Sequence, residues 1–346
     1  MALSCIAYEK RTLLAFAIAG IILSHNILAM IFLPVLFIYA WMTDRPMLRW
    51  FFVGVMLTSY FWAPALVERG YVVGLNTVNY KDHFPEIAQL LIPSWGTGLS
   101  GLGYALDEMS YQIGIIPLVL FIASLVVFPR TLFVVAMMIA CFLMLELSIP
   151  IWELVPFLTN IQYPWRLLSV IVVSMPFLAA GLTSRFHLRW VALGIVVLAV
   201  AFSYSYTKPV LYAPRSDEYY LSRREFTDGT SSLGNSFSTR WMSWQPDRPK
   251  ARMEIISGEG SIVLGNAHLI TDAKVRIHVA YYPGWSVVID GKSSLVYPDS
   301  EGMITVSVPK GDHSIAVNFS ETPFRLVANL FSLVCLLWLF IKAARI

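Results

Sequence analysis

Arg166, His25 and Asn26 are the side chains in this sequence best suited to holding an anion. Arg166 closes the run Ile161-Gln162-Tyr163-Pro164-Trp165-Arg166, and a guanidinium can grip a phosphate through two parallel N–H donors. His25 and Asn26 are adjacent in Ser24-His25-Asn26; an imidazolium and an amide both donate to phosphate oxygens. Each has a plainer alternative. Arg beside Tyr and Trp is also an interfacial anchor, and Ser and Asn are good helix caps. The carboxylates Glu68, Asp107, Glu108 and Glu153 can act as general bases or be ordinary solvated loop charge. Asp107 and Glu108 are neighbours that could share a divalent cation, although such sites usually draw on several oxygen ligands. Trp241 and Trp244 are flanked by Arg240 and Arg248 and offer indole faces to a sugar ring. Trp285 opens an apolar strand and reads as core. Glu146 lies near a helix end, where a lone carboxylate is notable; His83 is a single loop histidine.

The elements that must position these groups are mostly membrane-like. The 346 residues are 57% hydrophobic and only 14% charged, with a mean hydropathy of +0.65. Soluble domains carry about 25% charged and about 45–50% apolar residues. Such a chain cannot cover a water-facing surface, which argues against disorder, nucleic-acid binding and a simple soluble enzyme. The charge is uneven: residues 207–322 hold 12 Lys/Arg and 13 Asp/Glu of the 47 charges. This near-neutral insert has no evident role in capturing polyanions. The expected organisation is a membrane bundle over 1–206 with an outer loop at 67–111, an extracytoplasmic β domain over 207–322, and a closing transmembrane helix over 323–346.

Apolar runs predict spans at 47–66, 112–128, 131–148, 167–183, 190–206 and 325–343. The stretch 12–42 is long for one span and short for two, with Ser24-His25-Asn26 at its middle. Read as a hairpin, it leaves nine Lys/Arg on the inner side and four on the outer side of the membrane body. Read as one span, the split is seven against six. The excess of inner positive charge favours the hairpin. The expectation is therefore a polytopic α-helical membrane protein with about eight segments, seven being the alternative. Both termini lie in the cytoplasm of a plasma-membrane protein. No secretory signal peptide is evident. Cys5, Cys141 and Cys335 all fall in or beside membrane segments, and they form neither a disulfide framework nor a metal-ligand pattern. No cofactor is evident.

In the insert, short runs at 253–256, 261–264, 274–280, 285–289, 303–308 and 314–319 predict strands, with period-two alternation clearest in the last. Asp290-Gly291 predicts a tight hairpin turn, and Gly311 a second change of direction. Evenly spaced short strands favour a sandwich or jelly roll. Within the outer loop, 84–92 has the spacing of an amphipathic helix suited to the headgroup plane. The glycine run at 94–103 has the character of a mobile lid and lacks the features of a phosphate loop.

The run Tyr282-Pro283-Gly284-Trp285-Ser286-Val287-Val288-Ile289-Asp290-Gly291-Lys292 resembles a signature of large bacterial and archaeal membrane proteins. These are the 6-pyruvoyl-tetrahydropterin synthase-related and YfhO-like proteins; the first name is a label that carries no pterin chemistry. Ser24-His25-Asn26, Phe61-Trp62-Ala63-Pro64-Ala65-Leu66-Val67-Glu68 and Ile161 to Arg166 fit the same family. The likeness is to the C-terminal portion of such proteins. It implies a relationship to the GT-C glycosyltransferases, which move sugar from a polyprenyl-phosphate donor to an acceptor at the outer membrane face. The resemblance gives Arg166, His25 and Asn26 the donor phosphate, and one of the outer carboxylates the acceptor hydroxyl. The family's acid-bearing first outer loop has no counterpart in the sequence, so the chain is expected to be a fragment or a shortened homologue. The alternative is a non-enzymatic membrane scaffold whose β domain binds glycan or a partner protein.

Overall fold

The computed structural model of the chain describes residues 1–74, 79–94, 109–186, 189–207, 215–222, 238–242 and 252–343. Two compact units emerge: Met1–Val55 with Val78–Pro214, and Met56–Thr77 with Arg215–Ile346.

The first unit is helical. The ambiguous 12–42 stretch forms two helices, Arg11–Ser24 and Asn26–Thr43, interrupted at His25, whose backbone is extended (φ −163°, ψ 112°). The first buries Leu14, Ala15, Ile18 and Ile22. A β-carbon on Gly54 would lie 2.5 Å from the Ala15 carbonyl and 2.7 Å from the Ile18 β-carbon. Glycine at that position is what lets the two backbones approach.

Every apolar run expected to span is helical, but the lengths differ. Asn26–Thr43, Pro164–Arg185, Trp190–Thr207 and Pro323–Ala343 are long and apolar enough to cross a membrane. The 47–66 run is two helices, Met47–Leu57 and Ser59–Val67, parted at Thr58. The 131–148 run is likewise two pieces, Leu132–Leu143 and Glu146–Leu154, bent by 94°. Counting each pair as one span gives six among the described residues. Arg11–Ser24 and Ile115–Val127 have 14 and 13 residues. At about 1.5 Å per residue they fall short of a hydrocarbon core of about 30 Å.

The 94° bend is stabilised by side chains that satisfy the carbonyls a helix end leaves open. Ser148 Oγ donates to the Leu143 carbonyl at 3.1 Å and the Leu145 carbonyl at 2.7 Å. The fully buried Trp152 donates its Nε1–H to the Leu143 carbonyl at 3.1 Å. The amphipathic run at 84–92 yields a shorter helix, Ile87–Leu91, started by a capping box between Glu86 and Gln89. Leu90 and the preceding Phe84 are buried, while Ile87, Leu91 and Ile92 are exposed. Most of the glycine run, with Asp107 and Glu108, lies outside the described residues.

Among the described residues the second unit has nine strands: β1 Met253–Ser257, β2 Gly260–Val263, β3 Asn266–Leu269, β4 Ala273–Ala280, β5 Trp285–Ile289, β6 Lys292–Ser294, β7 Tyr297–Pro298, β8 Met303–Val308 and β9 Gly311–Phe319. They form two sheets with antiparallel pairings, ordered β1-β4-β8-β7 and β2-β3-β9-β5-β6. The six expected strands are all present; β3, β6 and β7, of four, three and two residues, lie outside the expected runs. Val275, Ile277, Ile304, Val306 and Val308 from one sheet pack with Ala267, Leu269, Val287 and Ile315 from the other, so this is a sandwich with one shared core. Trp285 packs at its margin, edge-on to Phe319 at 5.1 Å.

Asp290-Gly291 (φ 49° and 80°) joins Ile289 to its partner Lys292, as a type I′ turn requires. Gly311 (φ 125°) acts differently. It opens β9 after β8 has ended in the opposite sheet, so the chain crosses the sandwich there.

The Asp290 turn is also clasped to β9. His313 Nδ1 lies 2.6 Å from Asp290 Oδ2, and Asp290 Oδ1 accepts the Ser314 amide at 2.8 Å. Hydrogen bonding to His313 holds the Asp290 carboxyl below its ordinary range, and hydrogen bonding to Asp290 pushes His313 above its own. A raised histidine gives its full stabilisation below its ordinary value of 6.5 and loses it as pH rises through the raised value. A lowered aspartate gives its share above its ordinary 3.8 and loses it as pH falls through the lowered value. The clasp is therefore strongest from about pH 4 to about pH 6.5. Between about pH 6 and pH 9, the β-domain melting temperature is expected to fall more in the wild type than in His313→Gln. Equal slopes in a thermal melt would show that the pair contributes nothing.

In the same unit, Ser59–Val67 packs on Pro323–Ala343. Ser59 Oγ lies 3.1 Å from the Ala328 carbonyl and 2.9 Å from Ser332 Oγ, and Ser332 Oγ accepts the Tyr60 amide at 2.9 Å. Ala328 and Ser332 are one turn apart on one face, and small residues there permit close helix approach.

Candidate functional site

Arg166 stands at the entrance to Leu168–Arg185, in a 3-10 turn Pro164–Leu167. Gln162 adopts a left-handed conformation (φ 69°), folding the chain so that Arg166 Nη1 donates to the Ile161 carbonyl at 2.9 Å and to Gln162 Oε1 at 2.8 Å. The guanidinium lies 4.7 Å from the Tyr163 ring centre and 6.0 Å from that of Trp165, and those two rings stack at 5.4 Å. Nε and Nη2 make no hydrogen bond among the described residues. Nearby in sequence, Trp165 Nε1 and Ser169 Oγ are buried without a hydrogen-bond partner among the described residues. Three polar side chains within five residues thus keep unused donor capacity at the start of one helix.

Glu153 joins this neighbourhood through the 3-10 turn Tyr80–His83. Lys81 Nζ is 2.5 Å from Glu153 Oε1, and this exposed pair raises the lysine above its ordinary range by hydrogen bonding. Tyr80 stacks on Trp152 at 5.4 Å, and His83 meets Tyr163 edge-on at 4.8 Å. Lys81 and His83 therefore belong to the same aromatic surface as Arg166. Only the fold reveals this: 72 residues separate Lys81 from Glu153 and 80 separate His83 from Tyr163.

His25 and Asn26 are exposed and act as caps. His25 Nδ1 accepts the Leu28 amide at 3.3 Å and Asn26 Oδ1 accepts the Ile27 amide at 2.9 Å. His25 Nε2 and the Asn26 amide nitrogen are not used by these caps.

In the second unit Glu68 is no solvated loop charge. It ends the Ser59–Val67 helix in a 3-10 turn Glu68–Tyr71 and is buried. Arg325 grips it bidentately, Nε to Oε1 at 2.8 Å and Nη2 to Oε2 at 2.7 Å, while Tyr282 donates its hydroxyl to Oε2 at 2.9 Å. Arg325 Nη2 also reaches the Pro283 carbonyl at 3.2 Å. Burial, then the bond to Glu68, raises the Tyr282 phenol above its ordinary value. With three donor groups engaged, Glu68 is the anchor of a clamp that joins two helices to the Tyr282-Pro283-Gly284-Trp285 run. The available signal was a lone glutamate and a lone arginine, each at the end of an apolar helix.

Trp241 lies beside this clamp. It stacks with Tyr71 at 5.8 Å, meets Tyr281 edge-on at 4.8 Å and has the Arg240 guanidinium 4.5 Å from its ring centre. The Val72–Thr239 bridge and the Arg240 amide bond to the Tyr71 carbonyl at 2.9 Å hold the segment in place. Much of the indole is thus committed to protein contacts. Trp244 lies outside the described residues. Among the described residues no group of three or more His, Cys, Asp or Glu is arranged to hold a metal ion.

Comparison of the chain with protein-family models, with curated proteins and with solved structures finds no match.

Proposed function

We propose that the chain works in GT-C-like sugar transfer at the outer face of the plasma membrane. Its donor is a polyprenyl-phosphate-linked sugar and its acceptor a cell-envelope glycan. In this reading the protein is multi-pass, with both termini cytoplasmic and the β domain extracytoplasmic. The observation that carries the reading is the unused donor set of Trp165, Arg166 and Ser169 at the mouth of an apolar helix. Buried donors normally find acceptors, and a phosphate at headgroup depth supplies several at once. Tyr163 and Trp165 hold the guanidinium in a fixed plane, which favours a bidentate grip.

A second reading, a membrane scaffold whose β domain binds glycan or a partner protein, is favoured by the state of the carboxylates. Glu68 is held by Arg325 and Glu153 by Lys81, so neither offers an open base.

The test is polyprenyl-phosphate binding by the full chain in lipid nanodiscs. Arg166→Ala is expected to weaken it about 10- to 100-fold, since hydrogen bonds to charged groups contribute about 1.5–3 kcal/mol. Arg166→Lys should recover only part, because a point charge lacks the planar fork. Wild-type affinity in Arg166→Ala would remove this residue from the site. Binding without transfer to any glycan would favour the scaffold.

A further inference from the structure

We propose that the outward face of the five-stranded sheet carries a saccharide-binding hollow built from Asn266, His268, Asp312 and Ser314. It deepens the glycan-binding reading of the β domain and assigns it to a face that does not involve Trp241 or Trp244.

Residues paired across antiparallel strands project to the same side of a sheet. β3 and β9 pair Asn266 with Ser314 and His268 with Asp312. All four are exposed, while the alternating Ala267, Leu269 and Ile315 enter the core. An open surface hollow of about 370 Å³ lies against these residues and is lined also by Ala267 and His313. The pleat sets the spacing: about 6.8 Å between Asp312 and Ser314 along β9 and about 4.8 Å across to β3, a grid on the scale of one sugar ring.

The lining selects the ligand class. Its one apolar member is Ala267, so no pocket for a peptide side chain or a lipid chain is present. Asp312 is paired with His268 and His313 with Asp290, so the lining offers no unpaired cation among the described residues to hold an anion. Among the described residues no cluster suits a metal ion. What remains is a neutral polyol, whose every hydroxyl both donates and accepts. Asp312 is oriented by His268, whose Nδ1 lies 2.5 Å from Oδ1, and Oδ2 keeps its accepting capacity among the described residues. The Asn266 amide, which likewise has no partner among them, offers both donor and acceptor, and the Ser314 hydroxyl can do the same. Further along this face, Ala316 and Asn318 on β9 continue the exposed positions, with Val288 and Ser286 paired beside them on β5.

The experiment is saturation-transfer NMR of the full chain in nanodiscs with maltotriose, chitotriose and mannotriose as probes. At least one probe should bind. Asn266→Ala and Asp312→Ala should each weaken that binding at least about tenfold, while Trp241→Ala should leave it intact. Unchanged melting of the two variants would show that the loss is local. Binding that survives both hollow variants but fails in Trp241→Ala would overturn this assignment and leave the glycan reading standing at the tryptophan edge. Binding indifferent to all three variants would also overturn it. Absence of binding by every probe would count against the hollow and the glycan reading together.

Discussion

Arg325→Met is expected to lower the stability of the second unit by up to about 3 kcal/mol. That is the low end of what breaking a buried ion pair costs, because Glu68 and Arg325 remain 8% and 9% exposed. The loss comes mainly from the partner left behind. Glu68 would keep the neutral Tyr282 and Thr322 hydroxyls but no cation, in a site that has already excluded most water. Methionine fills the aliphatic part of the space but is shorter and lacks the guanidinium, so the contacts of that group with the Tyr282 and Phe319 rings are lost as well. Glu68→Gln should cost less, because an amide is easier to bury than an unpaired charge. The double variant Glu68→Gln/Arg325→Met should be more stable than the sum of the single losses predicts, as coupled partners are. Thermal unfolding of the full chain in detergent reads all three. An additive double variant would show that the pair, despite its geometry, carries no coupling.

Gly284→Ala is expected to be as damaging, for a backbone reason. Gly284 has φ 115°, a region that L residues rarely adopt. A β-carbon there would lie 2.7 Å from the Ser320 carbonyl oxygen, 2.9 Å from the Phe319 ring and 3.2 Å from Arg325 Nη1. The Ser320 amide also donates to the Gly284 carbonyl at 2.9 Å, so the backbones cannot separate without losing that bond. Strain and overpacking together should cost about 2–5 kcal/mol. Gly291→Ala is the control. Its φ is 80°, but nothing lies within 4 Å of the added carbon, so it should cost only the strain, about 1–2 kcal/mol. Equal melting temperatures for the two variants would show that close approach to Ser320 and Arg325 does not matter.

The two substitutions meet at one place, which explains why the Tyr282-Pro283-Gly284-Trp285 run is legible as a motif but opaque as to purpose. Tyr282 supplies a hydroxyl to Glu68, Pro283 a carbonyl to Arg325, Gly284 the room for Arg325, and Trp285 a ring against Phe319. None of these partners is near in sequence. The same limit applies to Arg166. Its residue type and aromatic neighbours suggested an anion, but its partial satisfaction by Ile161 and Gln162 depends on a left-handed turn that the sequence does not signal, glutamine being an uncommon residue there.

Local patterns determined the element types. Apolar runs fixed the helices, alternation fixed six strands, and Asp290-Gly291 fixed a turn, because each rests on neighbouring residues and their own backbone preferences. Tertiary structure alone decided whether an apolar run is one straight helix or two, since Ser148 and Trp152 stabilise a bend only when they reach back to Leu143. It also decided what the charges do. Glu68 looked like a solvated loop residue until a helix more than 250 residues later brought Arg325 to it. The energy of a charge depends on burial and on its partner, and both are properties of the folded chain.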